Sequence, residues 1–143
     1  MQALRRCPLF AGMSELSIDL ALGNISYQLV DYAPRDVYTL AGMPCRFADI
    51  VISGSLICRM VSLSGKQVEV TRLRPGNIIA PAFIFAKDNS MPVSVETDAN
   101  VTLLRMTPQT LKQLIDRDED IRMNYIRTLS NICLLYTSPS PRD

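Results

Sequence analysis

The sequence predicts a mainly β domain, a sandwich or barrel, with helices at both ends. Eight short β-rich runs alternate with turn residues between Tyr27 and Met106. Short strands at near-regular spacing, without helical segments between them, are typical of sandwiches and barrels and not of βαβ units. The chain has 143 residues, 48% of them apolar and 20% charged, which suits one domain with a real core and argues against disorder. The eight runs are YQLVDY, DVYTL, ADIVIS, SLICRMV, QVEVTRL, NIIA, PVSVET and NVTLLRM.

The segment before these runs predicts a helix. Gly12 marks a turn, and Ser14 is of the residue type that caps a helix N-terminus. We expect Leu16, Leu20 and Ile25 to face the core. Within the β region, the Ser64-Gly65 pair between two runs predicts a hairpin.

Helical patterning returns after the last run. Thr107 followed by Pro108 predicts the start of a helix. Threonine caps the helix N-terminus, and proline at the first helical position has no N–H to leave unpaired. This helix is predicted over residues 108–117. A second helix is predicted to begin near Asp118, with Glu119 and Asp120 in a first turn that favours negative charge.

The second helix has an apolar stripe, and two interpretations of it stay open. The stripe docks on the barrel, or it pairs with its twin in a homodimer, since both arrangements need the same periodicity. Its members are Ile121, Tyr125, Leu129 and Ile132.

Composition argues against an enzyme and against a metal site. The chain contains no histidine, the residue on which most zinc sites and acid–base catalysts depend. The four cysteines (Cys7, Cys45, Cys58 and Cys133) form no CxxC pair of the kind that iron–sulfur clusters use. The formal charge of +1 gives no global indication of nucleic-acid or membrane binding. Without a signal peptide or a run of about 18 apolar residues, the protein is expected in the cytoplasm.

Four stretches together resemble the cyclic-nucleotide-binding domain of the Crp/Fnr transcription regulators. They are CPLFAGMSE, LAGMPCRFADIVISGSL, LRPGNIIAPA and TPQTLKQLIDRD, in the family's order and spacing. The likeness covers residues 6–129. It implies a double-stranded β-helix, or jelly-roll, followed by a long dimerisation helix, and therefore a sensor domain over residues 1–117 and a dimerisation helix over 118–132.

The same resemblance locates a degenerate phosphate cassette. Nucleotide-binding members hold the cyclic phosphate with a helix start and an arginine, and the ribose with a glutamate. Here Ala80 stands at the glycine position, Pro81 at the glutamate position, Met91 at the arginine position and Pro92 at the Ser/Thr position. Losing two charge-assisted contacts at ~1.5–3 kcal/mol each lowers affinity roughly 10²–10⁴-fold. We therefore predict no cAMP or cGMP cofactor, and expect Lys87 to be a solvated loop residue.

Two alternatives stay open for the apolar side chains of the cassette region. Its apolar side chains fill the barrel, or they line a pocket for a small effector of unknown identity. The candidate pocket positions are Ile79, Ala80, Pro81, Ala82, Met91 and Pro92, and the neighbouring apolar residues are Ile78, Phe83, Ile84, Phe85 and Val93.

The C-terminal end of this chain is expected to differ from that of the Crp/Fnr regulators, which the chain resembles. Few residues follow Ile132, so a helix-turn-helix domain is expected to be missing and DNA contact to belong to that missing domain. The last stretch, CLLYTSPSPRD, resembles translated vector sequence, and residues 133–143 are interpreted as a non-native tail, with a flexible native terminus as the alternative.

Three functions follow from these observations. The first is the effector-sensing domain of a transcription regulator. The second is a ligand-free dimerising scaffold with a side-chain-filled barrel. The third, a cupin-like metal barrel, is disfavoured because cupins depend on histidine ligands.

Overall fold

The computed structural model describes residues 2–137 as helices packed around two antiparallel sheets. Three helical segments come first: α1 (Gln2–Arg6), a 3-10 turn (Pro8–Phe10) and α2 (Glu15–Gly23). Seven strands follow: β1 (Gln28–Tyr32), β2 (Val37–Thr39), β3 (Ala48–Ser53), β4 (Leu56–Val61), β5 (Gln67–Leu73), β6 (Ser94–Thr97) and β7 (Val101–Met106). Helices α3 (Pro108–Arg117) and α4 (Glu119–Thr137) complete the described chain.

The two sheets form the predicted jelly-roll. One has the strand order β1-β7-β3 and the other β2-β6-β4-β5, and every pairing is antiparallel. Inward-facing side chains of both sheets make the core, and helix α1 lies against β3. Neighbouring side chains of β3 and β7 are buried in succession, so these two strands are covered on both faces along most of their length.

Seven of the eight predicted β runs are strands, and the exception is NIIA. Ile78 makes only an isolated bridge with Ile50, and the N–H of Ile79 donates to the carbonyl of Asp49 at 2.9 Å. The ladder stops there because Ala80 takes a left-handed conformation with φ of 50°. Pro81, which follows, has no N–H with which to continue it.

Helix α2 starts as predicted but presents another face to the core. Ser14 caps the helix by accepting from the Ser17 N–H at 3.1 Å. Leu16 and Leu20, however, are 69% and 61% exposed, so their predicted burial is wrong. The helix has two apolar pairs at i, i+4 spacing. The pair Leu16 and Leu20 faces solvent, and the pair Ile18 and Leu22 packs on the barrel. The third residue of that prediction, Ile25, does pack against the core.

The two C-terminal helices begin where the sequence predicted. Thr107 accepts from the Thr110 N–H at 3.1 Å at the start of α3. The Asp118 carboxylate accepts from the Ile121 N–H at 3.1 Å at the start of α4. Helix α4 extends to Thr137, five residues past the predicted end at Ile132, and so includes the first five residues of the predicted tail. The remaining predicted tail, residues 138–143, lies outside the described chain.

Two residues of the apolar stripe of α4, Ile121 and Tyr125, pack against the barrel, which is the first of the two interpretations that the sequence left open. Ile121 is fully buried and Tyr125 is 5% exposed, so neither has surface left for a partner. Leu129 is half-buried against the same core, and Ile132 is partly exposed. Between them, the Asn124 amide donates to the carbonyls of Leu9 and Ala11 at 3.0 and 2.9 Å, which fixes α4 on the 3-10 turn.

Candidate functional site

The loop between β5 and β6 contains all six candidate pocket positions. We call residues 78–93 the cassette loop. Its backbone makes successive turns, with N–H groups of Phe83 and Ala86 donating to the carbonyls of Ala80 and Phe83 at 3.0 and 3.3 Å. No helix forms in this loop. The helix start that the resemblance implies at this place is a series of turns here.

The six positions are not equivalent in the structure. Ile79 and Met91 are buried, at 2% and 5% exposure, and they line a cleft. Ala80 and Pro81 are half-buried, whereas Ala82 and Pro92 are exposed and lie outside that cleft. Of the neighbouring apolar residues, Ile78 and Ile84 are buried, Phe83 and Val93 are half-buried, Phe85 is exposed, and Lys87 is exposed as expected.

Ala80 has a left-handed backbone, a conformation that favours glycine, the residue it is predicted to replace. A non-glycine residue at φ of 50° costs ~1–2 kcal/mol, since its Cβ crowds the following carbonyl. We expect Ala80→Gly to raise the free energy of unfolding by up to about 1 kcal/mol, after the larger unfolded-state entropy of glycine is subtracted. Urea denaturation followed by circular dichroism measures the change.

The control for this substitution is Ala82→Gly in the same loop. Ala82 is exposed and is not among the residues with positive φ, so glycine there is expected to lower stability by about 0.5–1 kcal/mol. If both glycine variants lose stability equally, the backbone at Ala80 is not strained.

Helix α4 is tied directly to the cassette loop. The Tyr125 hydroxyl donates to the Pro81 carbonyl at 2.6 Å, and the rings of Tyr125 and Phe85 meet edge to face with centroids 5.9 Å apart. Burial raises the pKa of Tyr125 to about 12, so the hydroxyl keeps its proton and stays a donor at neutral pH. A displacement of the loop at Pro81 is thereby coupled to α4.

A cleft of about 210 Å³ opens beside the cassette loop at one end of the barrel. We call it the Arg105 cleft. Its walls include the rings of Tyr32, Tyr38 and Phe47, the apolar side chains of Met43, Ile79 and Met91, and the guanidinium groups of Arg46 and Arg105.

A buried ion pair forms the inner wall of this cleft. Asp49 is fully buried, and its two carboxylate oxygens accept from Nε and Nη2 of Arg105, each at 3.0 Å. Tyr38 donates its hydroxyl to the same carboxylate, and Nη2 of Arg105 also donates to the Tyr32 hydroxyl at 2.9 Å. The Phe47 ring stacks on the guanidinium, with its centroid 4.1 Å from Cζ. Burial, followed by the charge of Asp49, raises the pKa of Tyr38 and keeps it protonated.

This cluster was not among the predicted site residues. The available signal was Asp49 inside the otherwise apolar run ADIVIS, since a charged residue in a doubly buried strand requires a partner. The partner, Arg105, is 56 residues away in β7, and only the antiparallel register of β3 and β7 brings the two together.

Within residues 2–137 no cluster of three or more histidine, cysteine, aspartate or glutamate side chains is placed to hold a metal ion. No helix in that range is both long enough and apolar enough to cross a membrane.

The protein is a jelly-roll domain: it has two antiparallel sheets and flanking helices. A loop bonded to the C-terminal helix lies beside a cleft. The chain belongs to the cyclic nucleotide-binding domain family, whose model matches residues 29–118. No protein of curated function matches the sequence.

Solved structures of bacterial regulators share this fold. The catabolite activator protein of Thermus thermophilus superposes with a TM-score of 0.75 at 21% identity, over 88% of this chain and 58% of that one. The N-terminal domain of a Streptomyces coelicolor transcriptional regulator superposes with a TM-score of 0.75 at 19% identity, over 96% of this chain and 97% of that one. The sensor domain of the Pseudomonas aeruginosa regulator DNR superposes with a TM-score of 0.75 at 16% identity, over 98% of this chain and 92% of that one. The chain thus spans 58% of the Thermus protein and nearly all of the two isolated domains.

Proposed function

We propose that this chain is the effector-sensing domain of a Crp/Fnr-type transcription regulator, and that its cassette does not bind cyclic nucleotide. The observation on which this depends is the chemistry of the cassette loop. At the arginine position Met91 is buried and uncharged, and at the glutamate position the Pro81 carbonyl is already occupied by Tyr125. Neither the phosphate nor the ribose of a cyclic nucleotide would find its usual partner there.

The sensing role is supported by the link between cleft and helix. Ile79 and Met91 belong to the cassette loop and line the Arg105 cleft, and Pro81 of the same loop is bonded to α4. A ligand that favours one loop conformation would therefore favour one position of α4. The cleft also supports a sensor over the alternative of a ligand-free scaffold with a filled barrel. The role is regulatory and not catalytic, and we place the protein in the cytoplasm.

The test is a titration with cyclic nucleotides. We expect ~0.1 mM cAMP or cGMP to stabilise the folded chain by less than about 0.4 kcal/mol, the value reached when ligand concentration equals Kd. Thermal unfolding followed by circular dichroism measures this. A clear rise in Tm at micromolar cAMP, lost in Met91→Ala, would show that the cassette binds nucleotide after all.

Homodimerisation through α4 belongs to the same proposal, but through a different helix face from the predicted stripe. Opposite the buried face, Met123, Ile126 and Leu134 are 39%, 47% and 61% exposed, and Cys133 is exposed beside them. We call these four residues the outer face of α4. An apolar helix face opposite a docked one suits packing against its twin about a two-fold axis. DNA binding in the complete regulator would belong to a further domain outside residues 1–143.

Ile126→Asp tests the dimer. An aspartate carboxylate placed in an apolar interface without a partner is expected to weaken self-association at least about ten-fold. Folding is expected to persist, because the Ile126 side chain is already half-exposed in the monomer. Sedimentation equilibrium measures the association.

The matched control is Asn131→Asp, which adds the same charge to α4 at an exposed residue outside the outer face. It is expected to associate like the parent. A parent chain that is monomeric at every concentration would remove the dimer from the proposal, as would an Ile126→Asp variant that associates as tightly as the control.

A further inference from the structure

The Arg105 guanidinium has donors that the protein does not use. Three of its five N–H hydrogens are taken, because Nε donates to Asp49, and Nη2 donates to Asp49 and to the Tyr32 hydroxyl. No acceptor in residues 2–137 takes the two Nη1 hydrogens. The side chain is only 13% exposed, and it lines the cleft. A donor pair in this position favours an acceptor that enters from the cleft.

The Tyr32 hydroxyl is a second available donor. It accepts from Arg105 Nη2 at 2.9 Å, and its own hydrogen has no acceptor in the described chain. A hydroxyl can donate and accept at once, so the proton of Tyr32 is left for a ligand. Tyr38 is not available in this way, since its proton is committed to Asp49.

The charges around the cleft favour an anion. Arg46 and Arg105 are in its lining, and no carboxylate residue is. Asp49 lies behind Arg105 and neutralises one of the two positive charges, which leaves a formal excess of one positive charge. The lining also includes the apolar residues Met43, Ile79 and Met91. A bound molecule would therefore meet both hydrogen-bond donors and apolar side chains.

The volume limits the size of the molecule. At about 210 Å³ the cleft is smaller than the ~300–1,000 Å³ of pockets for drug-sized ligands. A single ring or a short chain bearing one anionic group fits this description.

We propose that the Arg105 cleft binds a small organic carboxylate. Its oxygens accept from Nη1 of Arg105 and from the Tyr32 hydroxyl, and its apolar body packs on Ile79 and Met91. This inference rests on the proposed sensing function, for which it names the ligand class. In this inference Arg105, which lies on β7, binds the anion in place of the arginine that is expected at position 91 of the cassette loop.

The test uses the full chain and four defined probes. Benzoate and phenylacetate are titrated by isothermal calorimetry against the neutral amides benzamide and phenylacetamide. At least one carboxylate is expected to bind about ten-fold or more tightly than its amide, the change that one lost charge-assisted hydrogen bond produces. Inorganic phosphate is the fifth titrant, and saturation by phosphate but not by the carboxylates would mean that the site takes a different oxyanion.

Two variants locate the binding. Tyr32→Phe removes one donor and keeps the ring, and is expected to weaken the carboxylate about three- to ten-fold while leaving the amide unchanged. Its matched control is Tyr27→Phe, because Tyr27 lines a second cleft that includes Arg105 and Phe47 but not Tyr32. Arg105→Lys, which keeps the charge beside Asp49, is expected to weaken binding about ten-fold or more, since it removes the Nη1 fork. Thermal unfolding shows that each variant is folded.

The outcomes separate this inference from the proposed function. Carboxylates that bind no better than amides, or equally well to Tyr32→Phe and Tyr27→Phe, would overturn the Arg105 site and leave the sensor proposal standing. Cyclic nucleotide binding in the same calorimeter would instead overturn the degenerate cassette. Carboxylate binding that is weakened in Tyr32→Phe and Arg105→Lys but unchanged in Tyr27→Phe would support the inference.

Discussion

Arg105→Met is expected to lower the free energy of unfolding by about 3–5 kcal/mol, because it leaves the Asp49 carboxylate buried without a counter-charge. Asp49 is fully buried, and among residues 2–137 its side chain is paired only with Tyr38 and Arg105. An isolated carboxylate in this position must take up a proton or draw water into the barrel, and both reduce stability. Urea denaturation followed by far-ultraviolet circular dichroism measures the change.

Two further variants identify the physical cause. The double variant Asp49→Leu/Arg105→Met removes both charges and is expected to lie within about 2 kcal/mol of the parent, since an apolar replacement of a buried ion pair is often nearly neutral. Lys112→Met breaks the exposed ion pair with Asp116, whose atoms are 2.7 Å apart, and is expected to cost less than about 0.5 kcal/mol. If Arg105→Met costs no more than Lys112→Met, the buried pair is not a stabilising contact.

Gly54→Ala is expected to lower the free energy of unfolding by about 2–6 kcal/mol. Gly54 has φ of +82°, which strains any residue with a Cβ by ~1–3 kcal/mol. A Cβ built there would overlap the Asn100 carbonyl oxygen and lie 2.9 Å from Cγ2 of Val101. The Val101 contact is in the core and cannot move freely, so the overlap adds a further ~1–3 kcal/mol. Thermal and urea unfolding measure the loss.

Gly42→Ala is the matched control for that substitution. Gly42 has a similar φ of +90°, but nothing lies within 4 Å of a Cβ placed there. Only the backbone strain of ~1–3 kcal/mol is expected. Equal losses in the two variants would mean that close approach of β7 to the turn at Gly54 contributes nothing.

Both glycines are among the residues on which the resemblance to the family was based. The sequence could place them at turns, because glycine is the residue that adopts positive φ without strain. The sequence does not show that the two glycines are required for different reasons. Gly42 is required only for its backbone conformation, whereas Gly54 is also required because the Asn100–Val101 backbone passes over it.

The helices show where periodicity stops being informative. The apolar stripe of α4 was visible in the sequence, but docking and dimerisation require the same spacing, and the structure assigns Ile121 and Tyr125 to docking. In α2 two apolar pairs had equal spacing, and the prediction chose the exposed one. A period identifies a face of a helix; it does not identify what that face contacts.

From its residue patterns the sequence determined the mainly β class with flanking helices, the starts of α2, α3 and α4 and the turn glycines, and the resemblance to the family added the jelly-roll. These patterns depend on local chemistry: alternation in short strands, side chains that cap N–H groups within three residues, and the φ range of glycine. Only the tertiary structure decided that α4 docks through Ile121 and Tyr125, that NIIA ends in a bridge, and that Asp49 meets Arg105 beside a cleft. Those features depend on contacts between residues far apart in the chain, and a strand or helix pattern contains no information about which distant partner it will meet.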